Sequence, residues 1–172
     1  MLETPALIAA TAGLIPLMLI AAYIDFKTLK VRNWLVLAVF ALFLVTGLWG
    51  LPLDSFLWRL GLGVAFLVLG FFANMFFGHH VGAGDVKLIA VLLPFFEPES
   101  FGFFVTVYLI ITVGWIVLQR RLARRAGAHE TGWAALDQGL HYPFGVFMGL
   151  TMCIYMLGIV SQRLGWGILP IF

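Results

Sequence analysis

Long apolar runs separated by short polar segments dominate this sequence. A helix that crosses the hydrocarbon core of a bilayer needs roughly 20 apolar residues. Five runs of about that length carry almost no charge, and they cover residues 5–24, 34–51, 59–77, 101–118 and 143–160. The pattern therefore predicts an all-α, polytopic transmembrane helical bundle that forms one domain over residues 1–172.

A sixth, shorter apolar stretch lies between the third and fourth runs, and we assign a span to residues 82–97. Its uncharged core, residues 86–96, would rise only about 17 Å as a helix. That rise is shorter than the roughly 30 Å thickness of the hydrocarbon. We therefore expect Asp85, at the start of this stretch, to lie close to the membrane boundary or slightly inside it.

The basic residues predict the orientation of the six spans. With the N-terminus outside, eight of the ten Lys and Arg residues face the cytoplasm, and only Arg59 and Arg163 lie outside. This distribution follows the positive-inside rule, which the inverted topology would violate. The first run is longer than the apolar region of a typical signal peptide and follows the acidic Glu3, so we expect a permanent span. The sequence thus predicts a multi-pass protein of the cytoplasmic (inner) membrane.

Composition excludes several other classes of protein. Hydrophobic residues make up 63% of the chain and charged residues 10%, which is far from the balance of a soluble globular domain. Basic residues form short clusters between apolar runs, so we expect no nucleic-acid partner. Cys153 is the only cysteine, and neither His79 nor His80 has a carboxylate at ligand spacing. We therefore predict no metal site and no cofactor.

Two aspartates reach the same predicted membrane face, because Asp25 ends the first span and Asp85 begins the fourth span in chain order, residues 82–97. Ionisable groups at this depth are often functional, although an acid at a helix end can also be an ordinary cap. Two carboxylates that share one proton can hydrolyse a peptide bond. Gly82 and Gly84 precede Asp85, and glycine permits positive φ angles and the close approach of a substrate strand. A glycine-rich turn that simply begins a helix is the alternative.

Three segments resemble the type IV prepilin peptidases, a family of aspartyl peptidases. YIDFKTLKVRNWL is similar to the first aspartate motif of that family, GAGDVKL to the second (GxGD) motif, and HYPFGVFMGL to a late Pro-aromatic-Gly segment. The resemblance implies that Asp25 and Asp85 are the catalytic pair. It implies supporting roles for Gly82, Gly84, Lys87, Asn33 and Pro143. Arg32 stands where many members of the family have proline.

The resemblance also implies what the protein acts on. Its substrates would be membrane-inserted prepilin or pseudopilin precursors, whose short basic leader is removed at the cytoplasmic face of the membrane. Larger bacterial members carry a cysteine-rich insertion linked to N-methylation, whereas here only a short turn follows Asp25. The chain therefore resembles the compact, peptidase-only branch that is associated with tight-adherence pili or with archaeal preflagellins.

Other functions are compatible with the same residues. A presenilin-like or signal-peptide-peptidase-like protease also uses GxGD, but it cuts within the membrane span of its substrate. A proton-coupled transporter also uses membrane acids, usually near the midplane and often in repeated halves. A non-catalytic assembly scaffold would leave the aspartate pair without a role. Lys87 could stabilise an ionised pair, or its side chain could only extend to the lipid headgroups.

Overall fold

The computed structural model describes residues 2–77, 82–126, 132–137 and 142–166, and nearly all of them are helical. The helices are α1 (Thr4–Thr28), α2 (Asn33–Gly50), α3 (Leu53–Phe77), α4 (Ala83–Leu92), α5 (Phe101–Ala126), α6 (Ala134–Asp137) and α7 (Phe144–Arg163). Two 3-10 turns, Leu93–Phe95 and Pro98–Ser100, connect α4 to α5. Within the described residues, the prediction of an all-helical protein is confirmed.

Five helices of the described ranges are long and apolar enough to cross a membrane, namely α1, α2, α3, α5 and α7. The additional predicted span, residues 82–97, is the fourth in chain order and differs from these five helices. Its helix, α4, has ten residues and rises about 15 Å. It gives way to the 3-10 turn that contains Pro94, a residue without a backbone N–H. A sixth crossing and an outward N-terminus therefore remain predictions.

The first helix extends further than the apolar run that predicts it. The run ends at Ile24, whereas α1 continues to Thr28, so Asp25 lies in the last turn of the helix and not in the following loop. Leu29 then adopts a left-handed conformation with φ 51°, and its N–H donates to the backbone oxygen of Asp25 at 2.7 Å. This left-handed residue ends the helix.

Close packing of α7 against α1 forms the centre of the bundle. Gly145 and Gly149 lie four residues apart on the face of α7 that contacts α1. A Cβ atom on Gly149 would lie 2.7 Å from the backbone oxygen of Met18, which is closer than any side chain tolerates. Small residues at this spacing allow two helices to approach closely in a membrane. The glycine pair therefore sets the distance between α1 and α7.

A buried arginine holds the segment that follows α4. Arg59, near the start of α3, is 9% exposed, and its Nη1 donates to the backbone oxygens of Pro94 and Phe96 at 2.9 Å each. The 3-10 turn leaves carbonyl groups without helical partners, and the guanidinium satisfies two of them. Arg59 thus fixes the end of the α4 segment that lies away from Asp85.

The same end of the bundle contains a second polar cluster. Tyr155 of α7 is fully buried, and its hydroxyl accepts from the Glu97 backbone N–H at 2.9 Å and lies 2.7 Å from Ser100 Oγ. The Arg163 guanidinium donates to Glu97 Oε1 at 3.4 Å. Along α7, Tyr155 lies about 16 Å and Arg163 about 28 Å from Phe144, so this cluster belongs to the second half of the helix.

We expect Arg59→Ala to destabilise the protein, because it leaves two buried carbonyl oxygens without a donor. Each such loss costs about 1–3 kcal/mol. Thermal unfolding of the purified protein in detergent should show a clear decrease in Tm. The matched control is Arg121→Ala, which removes an arginine that is exposed on α5. Equal Tm values for the two variants would contradict a structural role for Arg59.

Candidate active site

Asp25 is buried although it lies at the end of a membrane helix. Asp25 is only 4% exposed, and its Oδ2 accepts a hydrogen bond from the backbone N–H of Gly145 at 2.7 Å. Gly145 is the second residue of α7, so the carboxylate sits at the N-terminus of that helix. The unpaired N–H groups and the dipole there stabilise a negative charge. Asp25 therefore acts as a cap, but for another helix and not for its own.

This arrangement requires a glycine at position 145. A Cβ atom there would lie 2.9 Å from Asp25 Cβ and 3.1 Å from Asp25 Oδ2. Any side chain would push the carboxylate away from the helix terminus. Sequence reasoning did not identify Gly145, although the spacing of Gly145 and Gly149 typifies close helix contacts. That spacing is the signal that could have revealed it.

Asp85 lies in the first turn of α4 and is half-buried. Gly82 precedes the helix with φ −58° and ψ 128°, and Gly84 lies within it. Neither glycine has a positive φ angle, so in this structure the motif does not use the positive φ angles that glycine permits. Glycine at position 82 instead leaves room for the Asp85 carboxylate, because a Cβ atom there would lie 2.8 Å from Asp85 Oδ2.

Gly84 connects the two aspartate segments. A Cβ atom at this position would lie 3.1 Å from Val31 Cβ, which is tighter than most real contacts. Val31 belongs to the turn between α1 and α2, six residues after Asp25. The absence of a side chain at Gly84 thus lets the turn that follows Asp25 pack against the turn of helix that contains Asp85.

The charges of the two carboxylates are coupled. Asp85 lies outside the five helices long enough to span a membrane. Burial first, and the negative charge of Asp25 second, raise the pKa of Asp85 from its ordinary value of 3.8 to about 6. Like charges that approach each other cannot both ionise easily, so such a pair retains a proton to higher pH. The structure therefore brings the two carboxylates within electrostatic reach of each other.

The other residues predicted for the site lie around this pair. Lys87 Nζ donates to Asn33 Oδ1 at 3.2 Å, which joins α4 to the start of α2. Pro143 is buried directly before α7, and its backbone oxygen accepts from the Val146 N–H at 3.1 Å. Asn33, Lys87 and Pro143 thus all contact helix ends near the pair. Their predicted supporting roles remain predictions.

An aromatic cluster beside Asp25 was not predicted from the sequence. The Phe26 ring lies 5.6 Å from that of Trp115 and 5.1 Å from that of Trp133, and Tyr23 lies 5.9 Å from Trp133. Tyr23 and Phe26 flank Asp25 on α1, whereas Trp115 belongs to α5 and Trp133 precedes α6. The cluster packs α5 and the α6 segment around the end of α1 that carries Asp25.

His79 and His80 lie outside the described residues. Among the residues that the structure does describe, no group of three or more His, Cys, Asp or Glu side chains could hold a metal ion.

Removing the charge of Asp25 should change the titration of Asp85. In Asp25→Asn, we expect the pKa of Asp85 to fall below about 6 but to stay above 3.8, because burial, the larger cause, remains. In the wild type, the folded state binds the Asp85 proton more tightly than the unfolded chain does. The contribution of this proton to the free energy of unfolding therefore declines as the pH rises from 3.8 through about 6. Titration of the ¹³C-labelled aspartate carboxyl carbons by NMR measures the shift. An unchanged pKa would mean that the two groups do not interact.

Comparison with known proteins identifies the family to which this chain belongs. No curated protein matches the chain, and no solved structure does. The sequence model of the type IV leader peptidase family matches residues 12–118, a range that contains both aspartates, Asn33, the glycine motif and Lys87, but not α7. Because this match covers more than half of the chain, the protein belongs to the type IV leader peptidase family, whose members are proteases that act on peptide bonds.

Proposed function

We propose that this protein is a membrane aspartyl endopeptidase that removes the short basic leader of type IV prepilin-like precursors at the cytoplasmic face of the membrane. Asp25 and Asp85 form its catalytic dyad. One observation carries the proposal: the turn that follows Asp25 packs against the helix turn that contains Asp85, sixty residues away in the sequence, where burial first and the charge of Asp25 second raise the pKa of Asp85 to about 6. A pair that shares one proton is what peptide hydrolysis by aspartates requires.

The chemistry needs one ionised and one protonated carboxyl group. The ionised group takes a proton from a water molecule, whose oxygen attacks the carbonyl carbon of the scissile bond. The protonated group donates a hydrogen bond to the carbonyl oxygen and stabilises the tetrahedral intermediate. When the C–N bond breaks, a proton passes to the leaving amine, and the pair again shares one proton. The pair titrates as a unit, so the acid and the base are properties of the dyad.

The surroundings support this use of the two groups. The N-terminus of α7 supplies a hydrogen bond to Asp25, and the missing side chain of Gly82 leaves room for the Asp85 carboxylate, whose Oδ2 would lie 2.8 Å from a Cβ atom there. Four basic residues lie close in sequence to the dyad: Lys27 in the last turn of α1, Lys30 and Arg32 in the turn after it, and Lys87 two residues after Asp85. Arg59 and Arg163 belong to the opposite end of the bundle. This distribution supports a cytoplasmic site by the positive-inside rule.

Cleavage of a defined precursor tests the proposal. The protein is reconstituted in lipid vesicles with a synthetic precursor that has a basic leader followed by an apolar segment of roughly 20 residues. We expect a single cut at the boundary between leader and apolar segment, located by mass spectrometry of the products. A cut inside the apolar segment would instead favour a presenilin-like protease, and the absence of any cut would contradict the proposed activity.

A further inference from the structure

Helix α7 is hydrogen-bonded to both segments that carry the proposed dyad. At its start, the Gly145 N–H donates to Asp25 Oδ2 at 2.7 Å. Further along, the Tyr155 hydroxyl accepts from the backbone N–H of Glu97 at 2.9 Å. Glu97 lies in the segment that follows α4, the helix that contains Asp85. One helix therefore connects the carboxylate of Asp25 to the far end of the α4 segment.

Glu97, Ser100 and Tyr155 form a closed hydrogen-bonded ring. Ser100 Oγ donates its proton to the backbone oxygen of Glu97 at 3.0 Å. The Tyr155 hydroxyl therefore donates in the 2.7 Å hydrogen bond to Ser100 Oγ, because a serine hydroxyl has one proton. All three residues are buried. Linked hydrogen bonds that are shielded from water strengthen one another, so this ring holds both backbone groups of Glu97 in place.

Directional bonds of this kind can fix α4 along the axis of the bundle. Leu88 and Leu92 lie on the same face of α4 as Asp85, and both are fully buried. The hydrophobic effect holds this face against the core, but it is non-directional. A hydrogen bond, in contrast, weakens steeply when its angle or its length changes. The hydrogen-bonded ring therefore sets how far the α4 segment extends along α7.

Two routes of similar length lead from the hydrogen-bonded ring to the aspartates. Along α7, the ten residues from Tyr155 back to Gly145 span about 15 Å. Along the other route, the helix from Asp85 to Leu92 rises about 10 Å. The 3-10 turn Leu93–Phe95 adds about 6 Å. The two aspartates therefore reach the same level of the bundle.

We propose that Tyr155 is a positioning residue for the dyad: its hydroxyl ties the α4 segment to α7 and so sets the position of Asp85 relative to Asp25. The inference rests on the proposed function, because it concerns the same catalytic pair. Arg59 also holds the α4 segment, but it does so from α3. It therefore does not connect that segment to the helix that binds Asp25.

Tyr155→Phe tests the proposal, because it removes the hydroxyl and keeps the ring. The Tyr155 ring packs against Phe96, Phe103 and Phe104, with centroids 5.3, 6.3 and 5.7 Å away. Phenylalanine preserves these contacts. We expect kcat for the vesicle-bound precursor to decrease about tenfold with little change in KM, because the substrate still binds while the catalytic pair is displaced.

Thr46→Val is the matched control. Thr46 is also buried, but its hydroxyl donates to the backbone oxygen of Leu42 within the same helix, at 2.8 Å. Both variants thus remove one buried hydroxyl group, and rates are compared at equal amounts of folded protein. We expect Thr46→Val to keep the kcat of the wild type. Equal kcat values for Tyr155→Phe and Thr46→Val would overturn the proposal.

The coupling between the two carboxylates provides a measurement that needs no substrate. Coupling is defined here as the change in the pKa of Asp85 that Asp25→Asn causes, measured by NMR of ¹³C-labelled aspartate. In Tyr155→Phe we expect a smaller change than in the wild type, because the charge of Asp25 acts over a longer distance. A loss of stability alone does not alter this quantity in the folded protein. An equal change in both backgrounds would contradict a positioning role.

Ser100→Ala decides the question if Tyr155→Phe does not fold. It opens the hydrogen-bonded ring but leaves the aromatic core and the contact between Tyr155 and Glu97 unchanged. We expect kcat and the coupling to change in the same direction as in Tyr155→Phe, by a smaller amount. Wild-type values of both quantities would then refute the proposal.

The two measurements separate this inference from the proposed function. If the wild type cleaves the precursor and Tyr155→Phe matches it in kcat and in coupling, the positioning role fails and the peptidase assignment stands. If the wild type does not cleave, the proposed function fails. The coupling then still reports whether Tyr155 sets the position of Asp85.

Discussion

Asp25→Asn and Asp85→Asn are each expected to reduce kcat for precursor cleavage by about 10²- to 10⁴-fold, the range that positioned acid–base groups contribute. An asparagine keeps the shape of the side chain but can neither accept a proton from water nor share one with its partner. The double variant should be little worse than either single variant, because the two groups act as a unit. Rates are measured in lipid vesicles with equal amounts of folded protein.

Asp54→Asn is the matched control for these variants. Asp54 is exposed in the first turn of α3, close in sequence to Arg59 and at the end of that helix remote from the dyad. We expect its activity to equal that of the wild type. Wild-type cleavage by both Asp25→Asn and Asp85→Asn would refute the dyad. A large loss in Asp54→Asn would show that the assay responds to charge in general.

Gly145→Ala should produce the second large effect. The added methyl group would lie 2.9 Å from Asp25 Cβ, so the carboxylate has to move away from the N-terminus of α7. A displacement of about 1 Å at a catalytic group can cost roughly 10²-fold in rate. We therefore expect a decrease in kcat of that order, with a smaller change in KM, in the same vesicle assay.

Gly114→Ala is the control for this substitution. Gly114 lies within α5, and a Cβ atom there would have no neighbour within 4 Å. Alanine at such a helical position stabilises by about 0.5–1 kcal/mol, so Gly114→Ala should retain full activity and a Tm at least as high as that of the wild type. Equal kinetics for Gly145→Ala and the wild type would mean that the contact between Asp25 and α7 does not matter for cleavage.

Hydropathy alone predicted most of the helices, because the length of an apolar run and its flanking charges are local properties of the chain. The five long runs all correspond to helices. The predicted helix ends were less accurate. Helix α1 continues three residues beyond Asp25, and α4 stops at Leu92 although its span was predicted to reach residue 97. Such ends depend on a left-handed residue at Leu29 and on a 3-10 turn, which hydropathy does not reflect.

By itself, the sequence determined a helical membrane protein with two aspartates at helix ends and a glycine motif before the second. Only the tertiary structure decided that Asp25 caps α7, that Gly84 packs against Val31 and that Arg59 holds the segment after α4. The physical reason is that these features arise where helices remote in sequence approach closely. Such an approach depends on small residues on both faces and on how the whole bundle packs, and no single segment encodes it.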